Sequence, residues 1–129
     1  IKPKEILKSR DYVLVYENED QIKNIKIDKE LFDKKNIDPG GVVITAKGNS
    51  SDFVSRYFVP QCSFFEDPVT GSTHCSLVPY WSKKLGKQKL TSMQLSERGG
   101  EMFCIDKGDR VLINGKAQTY SVGEVFLKN

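Results

Sequence analysis

Residues 71–86, GSTHCSLVPYWSKKLG, hold the one long helical signal in a chain otherwise built from short apolar runs. Leu77, Val78, Trp81 and Leu85 recur at three- and four-residue spacings, the period of one helix face, and Gly86 supplies a left-handed stop. The pattern predicts a helix from Gly71 to Leu85. Pro79 lies inside it, lacks an N–H and crowds the carbonyl of Cys75, so a bend is expected there. Little polar surface remains on the first two turns, which reads as a helix buried against a sheet.

Working outward, Asp11 to Tyr16, Val42 to Ala46 and Phe53 to Val59 read as strands before the helix. Val42 to Ala46 is a β-branched run suited to burial on both faces. Phe53, Ser55 and Tyr57 should share one face of their strand and Val54, Arg56 and Phe58 the other. Beyond the helix, Lys89 to Leu95, Glu101 to Ile105, Arg110 to Ile113, Lys116 to Ser121 and Glu124 to Leu127 read as further strands. Asn114-Gly115 signals a type I′ hairpin and Asp106 to Asp109 a second tight turn. Two short helices, Glu19 to Ile25 and Asp28 to Lys35, fall between the first two strands, with Asp28 as N-cap and Leu31 and Phe32 facing inward. Asp38-Pro39-Gly40-Gly41 reads as a turn. The fold class is therefore α+β, with about eight mostly antiparallel or mixed strands.

Immediately ahead of the long helix stands Glu66-Asp67-Pro68-Val69-Thr70-Gly71-Ser72-Thr73-His74-Cys75. Helix starts carry unpaired N–H donors and partial positive charge, Gly71 allows close approach to the backbone, and Ser72 can cap the helix or meet an anion with its hydroxyl. D-P and T-G-S are also ordinary turn and cap vocabulary. The residues alone leave both readings open.

Composition narrows the class. A chain of 129 residues fits one domain, and 20 basic against 17 acidic residues give a net charge of only +3 with no basic cluster, which argues against a nucleic-acid groove. No apolar run approaches the roughly 20 residues needed to cross a bilayer as a helix. Cys62, Cys75 and Cys104 form no CxxC pair and are odd in number, which reads as reduced thiols and a cytoplasmic location. A single histidine leaves too few ligands for a metal site, so no metal is expected.

Five separated segments, GGVVITAKG (40–48), SDFVSRYFVP (51–60), EDPVTGSTHC (66–75), LVPYWSKKLGK (77–87) and QLSERGG (94–100), resemble the second half of the phenazine-biosynthesis PhzF-like family. The resemblance runs from about Asp11 to the C-terminus. It implies a diaminopimelate epimerase-like domain, with strands wrapped around a central helix at 71–85. It also implies a cofactor-independent isomerase or epimerase that moves a proton on a small carboxylic acid bound between two similar domains. The family's principal glutamate and a substrate-binding histidine belong to its first half, which nothing in this chain matches. IKPKEILKSRDYVLVY reads as an interdomain segment leading into a strand. The expectation is a C-terminal domain over 1–129 whose N-terminal partner is absent, inactive by itself, with a homodimer as a further candidate assembly.

Residue by residue, the resemblance makes Asp67 catalytic or substrate-orienting and Gly71 and Ser72 substrate-binding. His74 gains no role from it, and a helix start disfavours its charged form. Cys75 reads as a small core residue. Glu66 reads as an ion-pair partner for a lysine. Arg56 is either aimed at substrate or at Glu66 and Asp67, or simply paired. Gln94, Ser96 and Arg98 are either a polar brace or part of the site. An alternative function is a non-catalytic anion-binding or dimerisation module of the same fold, since no complete acid–base pair lies within the chain.

Overall fold

The computed structural model describes residues 1–35, 40–60 and 62–127. Eight strands form one mixed sheet: β1 (Glu5–Lys8), β2 (Tyr12–Val15), β3 (Val42–Lys47), β4 (Phe53–Phe58), β5 (Glu66–Asp67), β6 (Lys89–Gln94), β7 (Gly100–Asp106) and β8 (Val111–Asn114). Three helices accompany them: α1 (Glu19–Asn24), α2 (Lys29–Asp33) and α3 (His74–Leu85). The strand order is β1-β2-β3-β4-β6-β7-β8. β2 with β3 and β4 with β6 are parallel, and the other pairs antiparallel. Each parallel pair requires a crossover. α1 and α2 lie in the first, and β5 and α3 in the second.

The period-2 alternation of the strands divides the core. Val13, Val43, Phe53, Tyr57, Leu90 and Met102 pack with Leu77, Val78 and Trp81 of α3. Ile44, Ala46, Val54 and Phe58 pack on the opposite face with Ile22 of α1 and Phe32. α3 is tied to the middle of the sheet and to one edge: Trp81 Nε1 donates to Thr45 Oγ1 of β3 at 3.0 Å, and Tyr80 and Lys84 both meet Glu5 of β1. The helix ends at Gly86 in the left-handed conformation, φ 67°, as the sequence predicts.

Several expectations need correcting. The helix begins at His74 rather than Gly71, because residues 71–73 form a tighter lead-in with i to i+3 bonds, His74 N to Gly71 O (3.0 Å) and Cys75 N to Ser72 O (3.2 Å). Thr73 occupies the cap position, so Ser72 does not. Cys75 is exposed, since the inward stripe of α3 runs through His74, Leu77, Val78 and Trp81. Leu31 is likewise exposed, while Phe32 turns inward against Phe65 with ring centroids 5.6 Å apart. Asp28 caps α2 as expected, its Oδ1 accepting Leu31 N at 3.0 Å.

At the chain's second end, the Asp106 to Asp109 turn joins β7 to β8, with Gly108 at φ 85°. The Asn114-Gly115 hairpin does not form: Gly115 is not at positive φ, and 115–127 hold no strand. Tyr120, Val122, Val125, Phe126 and Leu127 are exposed. Strand-forming residues become a strand only by pairing, and this segment pairs with no strand among the described residues. The strand count survives because β1 and β5 replace the two expected there. Of the anticipated turn at Asp38 to Gly41, Asp38 and Pro39 lie outside the described residues; Gly40 is at φ 114° with its missing Cβ 2.6 Å from Arg10 O.

Candidate active site: a braced turn with an open front

β4 gives one edge to β3 along its whole length and divides the other. β6 takes Phe53 to Ser55, and β5 takes Tyr57 and Phe58. Gln94, the last residue of β6, fills the gap between them. Its Nε2 donates to Asp67 O at 2.7 Å and to Thr70 Oγ1 at 3.1 Å, while Oε1 accepts Thr70 N at 2.8 Å. Gln94 is 0% exposed, so its amide acts as a surrogate strand rung in a water-free place. Ser96 extends the brace, donating to Pro68 O at 2.7 Å and accepting Gly99 N at 3.0 Å. Gly100 is fixed by the same packing, since a Cβ there would lie 2.1 Å from Val69 Cγ2. Of the QLSERGG residues, Gln94 and Ser96 are thus brace. Arg98 is exposed, beside an open cleft of about 440 Å³ lined also by Glu66, Pro68, Ser96 and Glu97.

Thr70 is the hub of the turn. Its hydroxyl donates to Asp67 Oδ2 at 2.6 Å, and its carbonyl accepts from Thr73 Oγ1 and His74 Nδ1, each at 2.9 Å. A carbonyl can only accept, so Nδ1 carries the proton and Nε2 accepts from Ser92 Oγ at 2.9 Å. Fully buried against Phe53, His74 has its pKa lowered by desolvation, partly offset by the Thr70 carbonyl. The only histidine is a neutral latch between α3 and β6, not a base facing ligand.

The front of the turn is different. Gly71 and Ser72 are exposed. Among the described residues, the backbone N–H groups of Gly71, Ser72 and Thr73 have no acceptor. A Cβ on Gly71 would meet nothing within 4 Å, and its φ is not in the left-handed region. Neither backbone conformation nor packing among the described residues requires glycine at this position. Asp67 is half-buried, and its second oxygen, Oδ1, has no partner among the described residues. The structure therefore brings Asp67, Gly71 and Ser72 together on one rigid turn.

Glu66, the neighbour of Asp67, is turned elsewhere. Arg56 Nε and Nη2 grip its two carboxylate oxygens at 2.7 and 2.9 Å, and Arg56 Nη1 donates to the carbonyls of Ile22 and Ile25, both at 3.1 Å. Glu66 thus pairs with an arginine rather than a lysine, and Arg56 is a structural clamp between β4, β5 and the end of α1.

A second group beside the turn had no signal in the sequence. Asp11, 4% exposed, accepts Tyr57 OH at 2.8 Å and Gly41 N at 2.9 Å. Desolvation first, then the Asp11 bond, pushes the Tyr57 pKa up to about 12, so the phenol stays protonated. Arg10 Nη2 lies 3.2 and 3.3 Å from the Asp11 oxygens and 3.4 Å from Ser72 Oγ. Arg10 and Ser72 are 62 positions apart, beyond the reach of any local pattern.

An α+β domain with a mixed sheet and a glycine-led helix start, braced behind and open in front, is the class these features define. The chain belongs to the phenazine biosynthesis-like family, whose sequence model matches residues 5–123. An uncharacterized isomerase of Pseudomonas aeruginosa is 42% identical over 128 residues, 98% of this chain and 48% of that protein. A putative phenazine biosynthesis PhzC/PhzF protein from Clostridium difficile has a crystal structure that superposes with TM-score 0.86 at 42% identity, covering 98% of this chain and 49% of that one. A PhzF-family crystal structure from Enterococcus faecalis gives TM-score 0.86 at 40% identity, covering 98% and 48%. The chain spans about half the length of the relatives it matches. Among the described residues no helix is long and apolar enough to cross a membrane.

Proposed function

We propose that this chain is one half of a cofactor-independent isomerase that moves a proton on a small carboxylic acid, and that Asp67, Gly71 and Ser72 form its contribution to an interdomain cleft. The single observation that carries the reading is the turn itself. Behind it Gln94, Ser96, Thr73 and His74 are all hydrogen-bonded to the turn, while in front, among the described residues, three consecutive N–H donors and the space over Gly71 are free. A glycine demanded by nothing among the described residues is accounted for by something that approaches from outside. Free N–H groups at the start of α3, with the partial positive charge of the helix end, suit a carboxylate.

Asp67 stands on the same turn with one carboxylate oxygen committed to Thr70 and one uncommitted. It would orient the acid or tune the partner group that takes the proton, a transfer that contributes about 10²–10⁴ in rate. The proton-moving glutamate is assigned, by family resemblance, to the half that this chain lacks. Contacts from α3 to β1, β3 and β6–β8 support the family's arrangement of strands wrapped around a central helix. The isomerase names of curated relatives support the reaction class.

Titrating the chain with benzoate while following backbone amides tests the site. The expected result is saturable shifts at Gly71, Ser72 and Thr73; shifts confined to other regions would refute it. The chain alone should catalyse no solvent-deuterium exchange into small carboxylic acids, whereas exchange by the chain would return the proton-moving group to these 129 residues.

A further inference from the structure

Arg10 has the geometry of a cation waiting for an acceptor. Charge-assisted N–H to carboxylate bonds settle at about 2.7–2.9 Å. Arg56 meets that standard with Glu66, but all four Arg10 contacts lie between 3.2 and 3.5 Å and all use one nitrogen, Nη2. Among the described residues, Nε and Nη1 of Arg10 donate to nothing. Its side chain is about half exposed, while Asp11 beneath it is already satisfied by Tyr57 OH and Gly41 N. The buried carboxylate therefore anchors one edge of the guanidinium and leaves the rest of the fork free.

Position gives this freedom meaning. Nη2 is 3.4 Å from Ser72 Oγ, which puts the guanidinium beside the turn whose N–H groups are unpaired. No other Lys or Arg contacts Gly71, Ser72 or Thr73 among the described residues.

We propose that Arg10 is a specificity-determining residue of this site, reading the negative charge of the bound acid with its free N–H groups while Asp11 and Tyr57 hold it in place. The inference rests on the reading of Gly71 and Ser72 as the carboxylate site. It adds the prediction that the site discriminates an anion from a neutral isostere of the same shape. Free backbone donors alone would accept either a carboxylate or an amide oxygen. A guanidinium with two unused nitrogens favours the charged one.

The test compares benzoate with benzamide on the 129-residue chain, read from Gly71 and Ser72 amide shifts, in wild type, Arg10→Gln and Arg10→Lys. Benzoate should bind wild type about ten-fold more tightly than benzamide, Arg10→Gln should erase that ratio and its salt dependence, and Arg10→Lys should keep part of it. If benzoate shifts these amides in wild type but Arg10→Gln leaves the ratio unchanged, the Arg10 proposal is overturned and the carboxylate site stands. If benzoate shifts neither amide in wild type, both fall. Should Arg10→Gln disturb the Tyr57 and Gly41 resonances, Arg10→Lys decides: a ratio equal to that of wild type, with the same salt dependence, overturns a role for the planar fork.

Discussion

Arg56 and Arg10 flank the same ten-residue turn, and they have opposite surroundings. Arg56 is largely buried, and all three of its nitrogens donate, at 2.7 to 3.1 Å, to a carboxylate and two carbonyls that have few alternatives. Arg10 is half exposed, touches its neighbours at 3.2 Å or beyond, and among the described residues keeps two nitrogens unused. One arginine has finished its chemistry within the fold; the other has donors to spare. A saturated cation holds structure, whereas an unsaturated one beside unpaired backbone N–H groups stands where we propose that a ligand is received.

The largest effect that sharpens this contrast should come from Arg56→Met. It leaves a half-buried Glu66 carboxylate and two carbonyls without their donor, and stability should fall by about 3 kcal/mol, or roughly 10 °C in Tm. A melt within 1–2 °C of wild type, well inside that expected fall, would break the comparison at its closed end.

Acid should weaken the back of the turn next. His74 has a folded-state pKa below its usual 6.5 because burial disfavours the imidazolium, so the unfolded chain takes up the proton first. Its contribution is complete above the unfolded pKa and is lost as pH falls below it, by up to about 1.4 kcal/mol per pH unit. Urea midpoints compared at pH 7.5 and 5.5 should drop toward acid. A flat profile in His74→Gln and a sloping one in wild type would assign the slope to this residue.

At the open end the expected stability effects are small. Arg10→Gln and Gly71→Ala should each stay within about 0.5 kcal/mol of wild type in urea unfolding. Gly71→Ala should nonetheless abolish the benzoate-induced amide shifts, because the methyl occupies the space left over the turn. A loss of 2 kcal/mol or more, as for a core substitution, would make glycine a structural requirement after all. Ser72→Ala should be smallest of all in stability, since Thr73 rather than Ser72 holds the cap position and no cap bond is lost.

Much of this architecture is legible in the chain's own spacing. The apolar stripe of α3, Gly86 as its end, and β3, β4, β6, β7 and β8 follow from local periodicity, because their burial is set by neighbours at two or three to four positions. So does the grouping of Asp67, Gly71 and Ser72, which share one turn. β1 escapes because it is a mostly exposed edge strand, EILK, with no apolar alternation. β5 is two residues long and exists only through pairing with Tyr57 and Phe58. The segment 116–127 misleads for the converse reason, having strand composition while pairing with no strand among the described residues. Asp11 lies 46 positions from Tyr57, and its neighbour Arg10 lies 62 from Ser72, so only the folded sheet reveals that they meet.

Gln94 also sets an order of events. It reaches back across 24 positions to fix Thr70, and its own strand must first dock in parallel beside β4. Non-local closures of this kind come late in folding, since loop entropy is lost before the contacts repay it. During synthesis the turn at 66–73 would be made well before residue 94, and would wait unformed until β6 arrives. A truncated chain ending before Lys89 should therefore carry every residue of the proposed binding turn and still lack its shape.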